Sequence, residues 1–270
     1  MAGEKAAIIP AFTSPLAKPC EVNGKREKDF LTEESNFSMQ EFMRISIIIP
    51  VWNEAERIGP LVTFLRTHGG TFLEEVLVVD AGSQDATVQR ATAAGARVLY
   101  SPVCSRAAQM NTGAKAARAP ILYFIHADTL PPASYVADIR SALSAGYVMG
   151  CYRYQFDSPS ILLKINAYFN RFPWLWCQGG DKTFFIRQEV FDRLGGYDEY
   201  YTIMEEYDFL RRAMKQHPLF TIPKYATVSA RKYEHNGWLR VQLANTLVFQ
   251  LFKCRMAPMR LKRVYKTILR

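Results

Sequence analysis

Residues 44–125 alternate between β-branched apolar runs and segments with apolar residues at helical spacing. The runs predict strands at 44–50, 76–80, 96–100 and 121–125, and the segments between them predict helices at 54–68, 85–94 and 107–117. Such alternation with short connections gives right-handed βαβ units and a parallel sheet. The sequence therefore predicts an α/β fold and argues against an all-helical or all-β architecture.

The regular alternation ends near residue 131. Further helices are predicted at 133–145, 161–172, 206–215 and 237–253, and strands at 147–156 and 182–186. Residues 1–43 contain prolines and mixed charges without a sustained apolar period, so they are predicted to be a flexible tail. The longest uncharged run near the C-terminus, 241–252, is shorter than the about 20 apolar residues that a membrane span needs.

Charge is distributed unevenly along the chain. The net charge is +9, yet residues 211–270 carry 14 Lys or Arg and a single acid, and the rest of the chain is net negative. A basic C-terminal segment predicts an anionic partner, such as a diphosphate, an anionic lipid or nucleic acid, although a solvated helix face would also explain part of the charge. The five scattered cysteines lack metal-finger spacing and indicate reduced thiols in the cytoplasm.

Polar residues follow three of the predicted strands. They are Glu54 after the first strand, Asp80 at the end of the second, and His126 and Asp128 after the fourth; Pro50 and Trp52, where the chain leaves the first strand, add backbone groups and an aromatic ring. Open α/β sheets bind ligands at the carboxyl ends of their strands. Asp128 could offer oxygen to Mg²⁺ or Mn²⁺, with a diphosphate completing the shell, and His126 is a helper because hard cations prefer oxygen.

Three of these residues also have a purely structural interpretation. Asp80 could accept hydrogen bonds from a nucleoside or only stabilise the turn that follows it. Trp52 could face a ligand or cover the core. Glu54 could contact a ligand or merely complement a helix dipole.

Two later segments add charged groups. Arg106, in the first turn of a predicted helix, is unfavourable to the helix dipole, so it indicates a nearby anion unless it simply points outward. Glu205 and Asp208 would share a helix face while Glu206 points away. Crowded carboxylates suit a general base, although an acidic, solvated helix start is the alternative.

The segment before the strand at 182–186 could contact a sugar. Gly179 and Gly180 would let the backbone approach closely and Asp181 could hydrogen-bond the ligand, unless the segment is a plain turn. Aromatic residues in 161–176 and the basic C-terminal helix could dock on an anionic membrane. Packing of these aromatic residues against the sheet is the alternative.

Taken in order, these segments resemble the family-2 glycosyltransferases with the GT-A fold, in a bacterial-type subgroup with a His-Ala-Asp metal motif. The matching segments are 45–54, 78–85, 106–111, 124–128, 204–208 and 229–232. The resemblance implies a mostly parallel central sheet flanked by helices over residues 44–235, with a nucleotide-binding half (44–130) and an acceptor half (131–235). An amphipathic basic helical segment, 236–270, would follow.

The resemblance also implies an inverting transfer of a hexose from a nucleotide-diphosphate sugar, with a UDP-sugar as first expectation, assisted by Mn²⁺ or Mg²⁺ at Asp128. By position, Glu54 and Asp80 match nucleoside contacts, and Arg231 and Lys232 match basic residues beside the diphosphate. The acceptor would be a lipid-linked molecule or a small glycoside.

The same resemblance places the catalytic base at Glu206, where the family usually has Asp, with Asp208 as the second candidate. His126 stands at the first position of the family's Asp-x-Asp motif. A cytoplasmic location with peripheral contact to the inner face of a membrane is expected, and no nucleic acid partner.

Other functions fit the sequence less well. A nucleotidyltransferase would need a Gly- and Lys/Arg-rich loop at 51–57, and a dinucleotide oxidoreductase would need a Gly-x-Gly-x-x-Gly after a strand; neither pattern is present. A catalytically inactive GT-A-like protein that binds an anionic membrane or another polyanion remains the alternative, supported by the unusual Glu206.

Overall fold

The computed structural model describes residues 41–172, 174–178 and 182–269. Most of the predicted tail at 1–43 lies outside the described residues. The predicted sugar contacts Gly179, Gly180 and Asp181 lie outside them too.

The described residues form one eight-stranded sheet. Its strands are β1 (Ile45–Val51), β2 (Leu73–Asp80), β3 (Arg97–Tyr100), β4 (Ile121–Phe124), β5 (Thr129–Leu130), β6 (Met149–Phe156), β7 (Phe184–Arg187) and β8 (Phe220–Val228). Their order across the sheet is β3-β2-β1-β4-β7-β6-β8-β5.

Helices lie between and beyond these strands. They are α1 (Ala55–Gly69), α2 (Thr87–Ala93), α3 (Arg106–Ala116), α4 (Tyr135–Ser144), α5 (Ile161–Phe169), α6 (Gln188–Arg193), α7 (Glu205–Ala213), α8 (Arg231–Asn236), α9 (Trp238–Lys253) and α10 (Pro258–Ile268). Short 3₁₀ turns occupy Gly70–Phe72 and Leu175–Cys177.

The sheet has a parallel half and a mixed half. β3, β2, β1 and β4 are parallel neighbours, as the alternation predicts. β7 then runs antiparallel to both β4 and β6, β8 runs parallel to β6, and β5 is antiparallel to β8. The α/β prediction is therefore confirmed, and the parallel part of the sheet is the part that precedes residue 125.

Strand β8 is not predicted from the sequence, because Pro223 interrupts its apolar pattern. The register between β6 and β8 shifts at this point: Tyr152 pairs with Ile222, and Arg153 pairs with Tyr225. Pro223 thus lies in an irregular stretch of the strand, where its missing N–H removes no regular ladder bond. Pro223 therefore marks an irregularity within β8 and not the end of a strand.

Both faces of the sheet are buried, which accounts for the β-branched sequence of β1. Ile47 and Ile49 pack with Ile58 and Leu65 of α1 on one face. Ile48 packs on the other face with Met110 of α3. Strands buried on both faces are apolar throughout rather than alternating.

Helix α3 lies very close to the sheet at Gly113. A Cβ added there would be 2.4 Å from Ile48 Cγ2 and 3.1 Å from Val79 Cγ2.

We expect Gly113→Ala to lower the free energy of unfolding by about 1–3 kcal/mol through overpacking, measured by urea unfolding. Gly59→Ala in α1 is the matched control, because its new Cβ meets no atom closer than 3.7 Å. It should stabilise the protein by about 0.5–1 kcal/mol, and equal effects of the two substitutions would contradict the close packing.

The two C-terminal helices pack on the rest of the described chain. Val248, Phe252 and Leu261 form a buried cluster against which Tyr201 and Tyr207 pack. None of the helices in the described residues is both long and apolar enough to cross a membrane. The basic charge of this segment is therefore carried by helices that pack on the domain.

Candidate active site

Three segments that are distant in sequence meet at the carboxyl ends of β1 and β4. Glu54 precedes α1, Asp128 follows β4, and Arg231 opens α8. Arg231 Nη2 lies 3.5 Å from Glu54 Oε1. Burial and the nearby Asp128 carboxylate raise the pKa of Glu54. The structure therefore brings together two carboxylates and a cation that the sequence analysis proposed separately.

The backbone of Asp128 holds this edge together. Its carbonyl oxygen accepts a hydrogen bond from Ser229 N at 3.1 Å, next to the ladder between β5 and β8. The contact explains how the segment that carries Arg231 reaches the end of β4. Although β5 has only two residues, its pairing with β8 brings the segment that carries Arg231 to the end of β4.

The donor atoms at this edge fit a divalent cation that shares its shell with a substrate. Asp128 and Glu54 present hard carboxylate oxygens, and the hydroxyl of Thr129 is a long 3.5 Å from Asp128 Oδ1. No group of three or more His, Cys, Asp or Glu side chains suited to a metal occurs in the part of the chain that the structure describes. Mg²⁺ is commonly held by one or two carboxylates plus substrate phosphates, which is what this edge can supply.

His126 and Glu206 form a buried pair. His126 Nε2 lies 2.9 Å from Glu206 Oε1, and both side chains are largely shielded from solvent. Burial disfavours both charges, but the partner outweighs it, so the pKa of His126 is raised and that of Glu206 is lowered. Glu206 is thus held ionised and in one orientation by the His of the strand-end motif.

Glu205 lies beside the same pair and faces Arg106. Arg106 Nη1 is 3.6 Å from Glu205 Oε1, and Arg106 is half-exposed while Glu205 is buried. Burial raises the pKa of Glu205, the Arg106 charge opposes this, and Glu206 adds to it. The sequence predicts an anion near Arg106. In the structure this anion is the carboxylate of Glu205.

Asp208 has charged partners that differ from those of Glu205 and Glu206. Its carboxylate accepts hydrogen bonds from Arg211 at 2.7 Å and from Arg212 at 2.9 Å. Arg212 also donates to the carbonyl of Gly196. Glu205 and Asp208 are both buried on α7, in keeping with the shared face expected of an i, i+3 pair, while Glu206 pairs with His126. Asp208 orients Arg212, and Arg212 links α7 to the loop before it.

Asp80 is engaged by its own turn. Its Oδ2 accepts hydrogen bonds from the backbone N–H groups of Gly82 at 2.9 Å and Ser83 at 3.0 Å. The turn-forming interpretation of Asp80 is thus observed, and its nucleoside contact stays a prediction. Trp52, in contrast, is 58% exposed, so it does not cover the core.

Two residues that the sequence analysis did not assign organise the strand ends. Gln109 is buried, and its Nε2 donates to the carbonyls of Val51 and Val79, which joins β1 to β2. Asn53 has φ 55° and its Oδ1 accepts a hydrogen bond from Gln84 N. An Asn after a strand is tolerant of positive φ, which is the signal that could have identified it.

Of the two basic residues at the start of α8, Arg231 is the one that contacts Glu54. The Nζ of Lys232 lies 5.7 Å from the centre of the Tyr233 ring. Pro50 lies in β1 opposite Val79 of β2, one residue before the end of the strand.

Comparison with known proteins identifies relatives of this fold. The sequence model described as Glycosyl transferase family 2 matches residues 46–197, more than half of the chain. Glucosyl-3-phosphoglycerate synthase from Mycolicibacterium smegmatis is 40% identical over 55 residues, which are 20% of this chain and 18% of that protein. The match therefore spans less than a fifth of that relative's length.

Two solved structures share the fold. A mannosyltransferase from Pyrobaculum calidifontis in complex with GDP-Man and Mn²⁺ has a TM-score of 0.61 and 18% identity, covering 83% of this chain and 68% of that chain. Glucosyl-3-phosphoglycerate synthase from Mycobacterium tuberculosis, in complex with Mn²⁺, UDP-glucose and phosphoglyceric acid, has a TM-score of 0.57 and 18% identity, covering 78% and 82%. With its GT-A fold and the match over residues 46–197, the chain belongs to glycosyl transferase family 2.

Proposed function

We propose that the protein transfers a hexose from a nucleotide-diphosphate sugar, with UDP as the first candidate nucleotide, to an acceptor hydroxyl with inversion. The observation that carries this proposal is the convergence of Asp128, Glu54 and Arg231 at the ends of β1 and β4. Sugar nucleotides and Mn²⁺ in the structures of two proteins with the same fold support it.

The donor would bind in the half that covers residues 44–130. Asp128 would hold Mn²⁺ or Mg²⁺, which stabilises negative charge on a departing diphosphate. Arg231 and Lys232 would bind the diphosphate, and Arg231 would exchange its contact with Glu54 for a phosphate oxygen. Pro50, Trp52, Glu54 and Asp80 would line the nucleoside side, where the exposed Trp52 ring is available for stacking.

The acceptor would bind in the half that covers residues 131–235, with Gly179, Gly180 and Asp181 on the sugar side. Glu206 would take the proton of the acceptor hydroxyl while that oxygen bonds to the anomeric carbon and the bond to the diphosphate breaks. Inversion follows from a single displacement of this kind. His126 is a positioning residue, because its 2.9 Å contact holds the Glu206 carboxylate in place.

The acceptor is proposed to be a lipid-linked molecule or a small glycoside, used by a cytoplasmic protein with peripheral contact to the inner face of a membrane. The basic segment 236–270 supports contact with an anionic surface, since its helices carry most of the excess positive charge.

A screen of UDP- and GDP-sugars for Mn²⁺-dependent release of the nucleoside diphosphate tests the proposal. We expect slow release with at least one donor in the absence of acceptor, because water can replace the acceptor hydroxyl. Chelation of the metal should stop release. If no donor is cleaved, and no nucleotide with Mn²⁺ raises the melting temperature, the inactive GT-A-like binder becomes the better description.

A further inference from the structure

One surface of the protein presents apolar side chains that do not enter the core. On α5 these are Ile161, Leu162, Ile165, Tyr168 and Phe169, and beyond it Trp174 and Trp176. We call these seven side chains the α5 surface. Ile161 is 72% exposed, and Trp174 and Trp176 are 51% and 50% exposed. In α5 itself, Leu163 alone is fully buried.

The rings of this segment contact one another while they remain exposed. The ring centroids of Trp174 and Trp176 are 5.7 Å apart and stacked, and Phe172 stacks on Trp174 at 4.7 Å. Phe169 is 6.0 Å from Trp176, which joins α5 to the segment that follows it. The result is a continuous aromatic layer. Large contiguous apolar patches on a protein surface mark sites of interaction.

Buried polar contacts fix this layer to the sheet. Lys182 Nζ donates to the carbonyl of Asn170 and to Gln178 Oε1, both at 2.7 Å. The Asn170 side chain donates to the carbonyl of Tyr154 in β6 at 2.7 Å. These bonds hold both ends of the aromatic segment. The apolar side chains are therefore exposed on an anchored segment.

The segment that carries the α5 surface is basic. Residues 158–178 contain Lys164 and Arg171 and no acid, and the flanking Asp157 carboxylate accepts a hydrogen bond from the backbone N–H of Ala230. The Arg171 guanidinium lies 3.8 Å over the Tyr168 ring. Leu163 shares a buried cluster with Val241 of α9, which places the basic C-terminal helices beside α5. Aromatic rings next to Lys and Arg without acids are complementary to the interface of an anionic bilayer.

We propose that the α5 surface docks the protein on an anionic lipid bilayer. Its aromatic and aliphatic side chains enter the headgroup region, while Lys164, Arg171 and the basic helices contact lipid phosphates. Nine residues of helix reach about 14 Å, too short to span a bilayer, so α5 lies in the interface. The purpose of docking, access to a lipid-linked acceptor, rests on the proposed function, whereas the binding itself requires no sugar donor.

Vesicle flotation of the full chain tests this proposal. The vesicles are phosphatidylcholine alone and an equimolar mixture with phosphatidylglycerol, and no nucleotide is present. We expect binding to the anionic vesicles that weakens at high salt, and a loss of at least about tenfold in apparent affinity for Trp174→Ser combined with Trp176→Ser. Tyr200→Ser, which removes an even more exposed ring elsewhere (64%), is the control and should bind as the wild type does.

A second double variant tests whether a loss of binding comes from the lost apolar area or from misfolding of the Trp variant. Ile161→Ser with Ile165→Ser removes apolar area from α5 without touching a ring, and it should also weaken binding several-fold. Absence of wild-type binding, or equal binding of wild type and both double variants, would overturn the proposal. Self-association that the Trp variants abolish, without vesicle binding, would overturn it in favour of a second copy as the occupant. Cleavage of the sugar donor should be unchanged in these variants, so failure of docking is distinguishable from failure of the proposed function.

Discussion

Asp128→Ala is expected to abolish Mn²⁺-dependent cleavage of the sugar donor, with a fall of at least about 10³-fold in rate, because metal stabilisation of a leaving group contributes several kcal/mol. Asp128 is the one carboxylate of the His126-Ala127-Asp128 motif, and the neighbouring Glu54 is paired with Arg231. The measurement is release of nucleoside diphosphate at saturating Mn²⁺. Loss of the melting-temperature increase caused by nucleotide with Mn²⁺ should accompany it.

Asp192→Ala is the matched control for this experiment, because Asp192 is an exposed acid at the end of α6. It should retain both cleavage and the Mn²⁺-dependent stabilisation. An Asp128→Ala variant that cleaves the donor with undiminished dependence on Mn²⁺ would place the metal elsewhere. A variant that loses the metal dependence but keeps the rate would remove the metal from the mechanism.

Glu206→Gln is expected to lower transfer to the acceptor by about 10²–10⁴-fold, which is the usual contribution of a positioned general base. The substitution keeps the side-chain length, so an amide oxygen can still contact His126 Nε2. Binding of nucleotide with Mn²⁺, measured by thermal shift, should therefore remain close to that of the wild type. The combination of intact donor binding and lost transfer is the signature of a base.

Asp208→Asn separates a base from a structural carboxylate. Because Asp208 accepts hydrogen bonds from Arg211 and Arg212, its substitution should lower the free energy of unfolding by about 2 kcal/mol and leave transfer within a few-fold of the wild type. The opposite pattern, with Glu206→Gln active and Asp208→Asn inactive but stable, would assign the base to Asp208.

The sequence is informative wherever a signal is local. The β-branched runs and the glycines that end helices predict β1 to β4 and the helices between them, because both faces of this half are buried by short βαβ crossovers. The antiparallel insertion of β7 could not be predicted in this way. It depends on the long-range pairing of Phe184 with Phe124, which no local pattern encodes.

The candidate site shows the same division. Strand-end positions of Glu54 and Asp128 follow from the alternation and the parallel sheet. The pairing of Glu206 with His126 and of Glu205 with Arg106 does not, because it depends on how α7 meets the ends of β4 and α3. Helical periodicity separates Glu206 from Glu205 and Asp208, but it does not reveal that Glu206 meets His126.

The contact between His126 and Glu206 restricts the order in which these two positions can change over evolutionary time. An aspartate at position 126, as in the Asp-x-Asp form that the resemblance implies, would place a second carboxylate against the buried Glu206 and remove the partner that lowers the pKa of Glu206. Shortening position 206 first would leave the buried imidazole short of its acceptor. Each single change is expected to lower the stability of the protein, so a change at one of the two positions would favour a compensating change at the other.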